Sequence, residues 1–228
     1  MLLGNKFHTP SGVQYAGYPG KTLNLTQGVD GAYSHEGSMA IDDAGEDVGV
    51  DRRYAPADMR CSWKDAPGGV NGINYQTLAP VLCRDGILRN FTFRMVHDNY
   101  IDDIKVGDIK RQGEIIGHEG VAGKATGNHS HFVVGDGWIA GQGLVKNKYD
   151  IYEMKNELRP WDVFFVDNTI IKQGLGYRWA TFAQYVAEIK AQMKVLNLET
   201  QIIEKAISEV LISPTGLKVT VEKSAVVK

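Results

Sequence analysis

The stretch Ile87-Leu-Arg-Asn-Phe-Thr-Phe-Arg-Met-Val96 sets the fold class. Phe91, Phe93 and Met95 alternate with polar partners, the period of two expected of an antiparallel strand with one buried face. Short apolar pieces of this kind run from residue 1 to about 145, punctuated by Tyr18-Pro-Gly20, Asp30-Gly31, Ala66-Pro-Gly-Gly69 and Asn71-Gly72. Gly supplies 26 of 228 residues, well above the usual share of about 7%. Spread along the chain, it implies many turns. The expected class is therefore mainly β, built from antiparallel sheets. Val106-Gly-Asp108 reads as a turn, Glu114-Ile-Ile-Gly117 as a short buried strand, and Pro160-Trp-Asp-Val-Phe-Phe-Val166 as a further strand.

After residue 180 the period changes. Phe182, Val186, Ile189 and Met193 recur at steps of four, three and four, an amphipathic helix. Ile202, Ile203, Ala206, Ile207 and Val210 repeat the pattern after a break near Asn197. Pro214 and Gly216 end it, and Leu217, Val219 and Val221 alternate like a last strand. The expected organisation is a body over residues 1–150, with its chemistry within 25–135, and a small helical extension over 151–228. The extension either packs on the body or recognises a ligand surface.

Composition excludes several classes. Lys+Arg 25 against Asp+Glu 27 leaves a net charge of −2, so no basic patch argues for nucleic acid or an anionic membrane. No stretch approaches the ~18 apolar residues of a membrane span. Met1-Leu-Leu-Gly-Asn-Lys6 turns polar too soon for a signal peptide, so any export is expected to use another route. Cys61 and Cys83 are too few for a disulfide framework and read as reduced, partly buried small hydrophobes, with a single disulfide between them as the lesser option.

The chemistry lies in the histidines. Six occur, and the most specific pair is His129-Ser130-His131 within Gly127-Asn-His-Ser-His-Phe-Val-Val134. On a strand, both rings share one face. Upstream stands Ser34-His-Glu-Gly-Ser-Met-Ala-Ile-Asp42, which joins an imidazole and a carboxylate of the types Zn²⁺ accepts. His35 and Asp42 converge only if the chain turns between them, and Glu36-Gly37-Ser38 has turn chemistry. Asp43 follows at once, so chemistry alone leaves the choice of carboxylate open. His97 comes directly after the alternating Phe91–Val96 run, in Met95-Val-His-Asp-Asn99.

The order His35, Asp42, His97, His129-x-His131 resembles the lysostaphin-type (LytM-like) zinc endopeptidases of peptidoglycan. Tyr54-Ala-Pro56 and the run Val106-Gly-Asp-Ile-Lys-Arg-Gln-Gly-Glu-Ile-Ile-Gly117, Gly120, Gly123, Gly127-Asn-His-Ser-His131 carry the same likeness. The resemblance implies a LytM-like core (a duplicated hybrid motif of antiparallel sheets) with one Zn²⁺ in an open groove. It implies His35, Asp42 and His131 as metal ligands, with His97 and His129 as catalytic histidines. The separation of His35 and Asp42 is longer than in the commonest members, and the Ser-His-x-Gly…Ala-Ile-Asp form is similar to phage-encoded ones.

The activity implied by the resemblance is that of a zinc metalloendopeptidase cleaving the stem peptide or cross-bridge of bacterial peptidoglycan. It would be lytic and phage-encoded, acting as an endolysin released from the host cytoplasm or as part of a virion. Three ligands leave a fourth position for water, and imidazoles with pKa near 6.5 suit the proton transfers. His129 is expected to accept the water proton and His97 to assist the oxyanion or leaving amine, with the roles exchangeable. The alternative is an inactive LytM-like wall-binding or virion structural protein. His8 and His118 read as loop residues. Tyr33 and Asn128 flank the ligands as candidate substrate or supporting contacts, and Asp98 as a candidate orienter of His97.

Overall fold

The computed structural model describes residues 8–9, 12–46 and 50–166. In chain order the strands begin with β1 Leu25–Gln27, β2 Ile41–Asp43, β3 Arg52–Tyr54, β4 Met59–Lys64 and β5 Ile73–Thr77. Then come β6 Val81–Leu82, β7 Leu88–Arg89, β8 Phe91–Val96, β9 Ile109–Lys110 and β10 Ile115–His118. β11 Ser130–Asp136, β12 Leu144–Lys146, β13 Tyr152–Met154 and β14 Glu157–Leu158 follow, with α1 Pro160–Val163 last. The fold is mainly β and its strand pairs are antiparallel, as the alternation predicts.

An eight-stranded sheet runs β1-β2-β11-β8-β5-β4-β9, with β14 paired to β11 off this path. β11 is its hinge: β8 pairs along one edge, while β2 and then β14 share the other. His131 is the register partner of both Asp42 on β2 and Val96 on β8. Hydrogen bonding thus carries Asp42, the His-x-His strand and the residue before His97 to one end of the sheet.

One face of β8 packs into the main core. Phe93 meets Phe132 and Phe164 at ring-centroid distances of 5.2 and 5.7 Å, and Tyr18 packs edge-on to both partners. The other face departs from expectation, because every residue of β8 is buried. Its polar side chains are covered by the loop after β11. Thr92 donates to the Gly137 carbonyl at 2.8 Å, and on the neighbouring β5, Gln76 and Asn74 donate to the Ile139 and Gly141 carbonyls. Arg94 donates to Asn74 and stacks over Trp63. A polar residue that finds partners can be buried, so alternation here does not mark a wet face.

A second correction concerns residues 160–166. Pro160 starts the short helix α1 instead of a strand, since its fixed φ and missing N–H suit a first helical turn. Val163 and Phe164 still reach the core, and Phe165 makes a single bridge to Gly17. Glu114–Gly117 gives the strand β10 as expected. Cys61 and Cys83 are free and buried; burial pushes their thiols up to about 11 and about 12, so neither is a nucleophile. Among the described residues no helix is long and apolar enough to cross a membrane. The two expected helices and the last strand, all beyond residue 180, lie outside the described residues.

Candidate metal centre

The loop from β1 to β2 makes the long separation of His35 and Asp42 workable. His35 N–H donates to the Gly31 carbonyl, Ser38 N–H to the His35 carbonyl, and Asp30 N–H to the Ser38 carbonyl. Gly37 takes the turn with φ +76, a conformation only glycine adopts freely. The Glu36-Gly37-Ser38 turn therefore reverses the chain, and His35 returns over β2.

Three donor atoms then meet. His35 Nε2 lies 3.1 Å from His131 Nδ1 and 3.2 Å from Asp42 Oδ1, and His131 Nδ1 lies 3.0 Å from that oxygen. Ligands about 2.1 Å from a tetrahedral zinc stand roughly 3.3 Å apart, so this triangle is close to one face of such a site. The His35 tautomer agrees. His35 Nδ1 approaches the Gly28 carbonyl at 3.1 Å; a carbonyl only accepts, so that nitrogen carries the proton and Nε2 presents its lone pair. Three electron-rich atoms thus crowd together, a set that fits a divalent cation.

Electrostatics keeps these groups in metal-binding form. Burial by itself raises the Asp42 carboxyl, but the His131 and His35 imidazoles beside it outweigh that effect and hold the group well below its usual range. Burial pushes His131 down to about 4 against the pull of Asp42, so its ring is neutral. Gln27 completes the support: its amide donates to Asp42 Oδ2 at 2.9 Å and to Ser34 Oγ at 2.8 Å, and accepts from Ser34 N–H.

Asp43 points elsewhere. It accepts from Tyr18 Oη, Asn24 N–H and the Arg53 guanidinium, so the geometry separates the two adjacent carboxylates by role.

His97 and His129 complete the cluster. His129 Nε2 is 3.7 Å from Asp42 Oδ1, and its Nδ1 donates to the Gly127 carbonyl at 2.8 Å. His97 donates from Nδ1 to the Ala122 carbonyl at 2.6 Å. Its φ of +79 is unusual for a residue with a side chain and swings the ring off the end of β8 toward His129. Burial lowers its pKa, which favours the neutral ring.

The remaining candidates stand apart. Asp98 carries no hydrogen bond to His97; its carboxylate accepts from Tyr100 N–H and His118 N–H, anchoring the segments that follow β8 and end β10. His118 lies edge-on to Tyr100. His8 bridges Gln14 in a short antiparallel contact far along the chain from the cluster. Tyr33 is 72% exposed beside the His35 loop. Asn128 donates to Glu119. Gln27, Arg53 and Glu119 carried no sequence signal, because their partners are distant along the chain.

No known family profile matches the sequence. It is 37% identical over 171 residues to Morphogenesis protein 1 of Bacillus phage B103, covering 75% of this chain and 45% of that protein. The chain thus spans under half the length of that relative. Among solved structures, a zinc containing peptidase from Vibrio cholerae aligns with TM-score 0.40 and 17% identity, over 57% of this chain and 40% of the other. A mutant catalytic domain of the prophage-encoded M23 protein EnpA from Enterococcus faecalis aligns with TM-score 0.41 and 19% identity, over 54% and 88%. The structural neighbours thus include M23 peptidases and a zinc-containing one, and the sequence relative is a phage protein.

Proposed function

We propose that the chain is a zinc-dependent endopeptidase that hydrolyses peptide bonds in bacterial peptidoglycan, with His35, Asp42 and His131 as the ligands. The observation that carries this reading is the triangle of donor atoms 3.0–3.2 Å apart with two further imidazoles beside it. A site evolved only for packing has no need of three donors converging on one point.

A Zn²⁺ held there would supply Lewis acidity, polarising a peptide carbonyl and lowering the pKa of water from 15.7 to about 7. The chain supplies orientation and proton traffic. Gly28 and Gln27 fix the His35 and Asp42 donors, so little reorganisation accompanies binding. His129 and His97 both spend their Nδ1 protons on backbone carbonyls, leaving each Nε2 as an acceptor. His129, nearer to Asp42, takes the water proton at Nε2. His97 stands beside it, its ring centroid 4.7 Å away, and the proton taken by His129 returns to the leaving amine, handed on through His97 Nε2.

Similarity to a phage morphogenesis protein supports a site of action on the virion over a freely diffusing lysin. The same relative carries a second reading, a virion structural protein that retains the fold without the chemistry. Metal analysis together with turbidity of purified walls separates the two. One zinc per chain and chelator-sensitive clearing of at least one host's walls are expected. Full zinc occupancy with intact walls from every candidate host would favour the structural reading, and mass spectrometry of released fragments identifies the bond cut.

A further inference from the structure

Arg53 touches none of the three donor atoms, yet it grips the residues next to two of them. It is fully buried on β3. Its Nε–H donates to Ser130 Oγ at 2.8 Å, between His129 and His131. Nη1 donates to Asp43 Oδ2 at 2.9 Å and Nη2 to the Asp43 carbonyl at 2.8 Å, at the residue after Asp42. Nη2 also reaches Glu119 Oε2 at 3.1 Å, and Glu119 Oε1 accepts from Asn128, the residue before His129.

The register gives these contacts their meaning. Ser130 and Asp43 are cross-strand partners, and His131 and Asp42 are the next pair along. Side chains alternate across a sheet, so the two pairs project to opposite faces. One planar guanidinium therefore spans the pair directly behind the donor pair. Its rigid fork fixes both the separation and the twist of β2 against β11.

We propose that Arg53 is a positioning residue for the metal centre: by clamping Asp43 to Ser130 it sets the spacing of the Asp42 and His131 donors and hence the affinity for zinc. This rests on the proposed metal centre and goes beyond it by naming what holds the ligands in register. Lysine keeps the charge but cannot span both strands with one planar group.

The test measures zinc affinity by chelator competition and the visible absorption of the Co²⁺-loaded protein, with circular dichroism as the check of folding. Arg53→Lys should fold, bind zinc 10- to 100-fold more weakly and shift the Co²⁺ bands. Ser130→Ala, which removes a single contact of the fork, should weaken zinc about fivefold, and it decides the matter if Arg53→Lys does not fold. Wild-type zinc affinity and Co²⁺ bands in the folded variants would overturn the proposal. A wild-type chain that binds neither metal overturns the centre, and this proposal with it. A wild-type chain that binds both metals but cuts no wall overturns only the enzymatic reading, since the Arg53 readouts do not use activity.

Discussion

His97 and His129 stand with ring centroids 4.7 Å apart, and each commits its Nδ1 proton to a backbone carbonyl, Ala122 for one and Gly127 for the other. Two Nε2 acceptors are thus left, that of His129 3.7 Å from Asp42 Oδ1, and neither belongs to the triangle of closest donors. His129→Ala and His97→Ala should each retain zinc and lose on the order of 10²- to 10⁴-fold in hydrolysis. His131→Ala should lose zinc and hydrolysis together. Metal content and wall clearing on the same preparations check all three. Zinc loss in His129→Ala would move that residue into the ligand set.

Adjacent carboxylates should fail differently. Asp42→Ala removes a donor and is expected to strip the metal from a protein that still folds. Asp43→Ala removes one of the two carboxylates paired with the buried Arg53 guanidinium and should cost stability, up to about 3 kcal/mol. Urea unfolding and metal analysis distinguish the two outcomes. Asp43→Ala also breaks the Arg53 clamp, so weakened zinc affinity is expected there. Only zinc stripped outright from a stable Asp43 variant, with Asp42→Ala still loaded, would reverse the assignment.

The same contrast marks what can be read from sequence. Strand alternation around Phe91–Met95 suffices for the fold class, and the spaced histidines with Asp42 name every side chain of the cluster. The buried polar face of β8 is hidden from such a reading, because its cover is a loop some forty residues downstream that no local period encodes. Pro160 opens a helix where a strand is expected, because a short apolar run is ambiguous between the two until its packing is known. Asp42 and Asp43 separate only through Arg53, Tyr18 and Asn24, which surround the second of them from distant parts of the chain.

Zinc retention should extend to acidic pH. A free imidazole titrates near 6.5, but burial brings His131 down to about 4, and Asp42 stays anionic. Protons then compete with the metal at His131 only as the pH falls toward 4. The sign for stability is the same: the metal-free fold keeps the full contribution of neutral His131 above about 6.5 and loses it as the pH falls from there toward 4. Zinc release followed with a colorimetric chelator between pH 8 and 4 should show little loss above pH 6. Half-release near 6.5 would contradict the lowered pKa of His131.

Gln27 holds the far oxygen of Asp42, so Gln27→Leu should weaken zinc binding 10- to 100-fold without unfolding the chain. Gly31→Ala should act through the same contact, since its Cβ would lie 2.5 Å from Gln27 Cγ. Chelator competition measures both. Unchanged affinity in the Leu variant would show that the turn alone orients Asp42.

Gly120 governs the spacing of the His97 and His129 imidazoles. Its backbone exchanges two hydrogen bonds of 3.1 Å with His129, and a Cβ there would sit 2.1 Å from the His97 carbonyl oxygen. The obstacle is backbone, and His97 already occupies a left-handed conformation that costs about 1–3 kcal/mol. Neither partner can give way without moving a ring. Gly120→Ala should therefore push His97 and His129 apart while leaving His35, Asp42 and His131 together. A displacement of about 1 Å is enough for a loss near 10²-fold. Steady-state kinetics should show the fall in kcat with KM and zinc content nearly unchanged. Wild-type kcat in a folded, zinc-loaded Gly120→Ala protein would mean that the two imidazoles act independently of their separation.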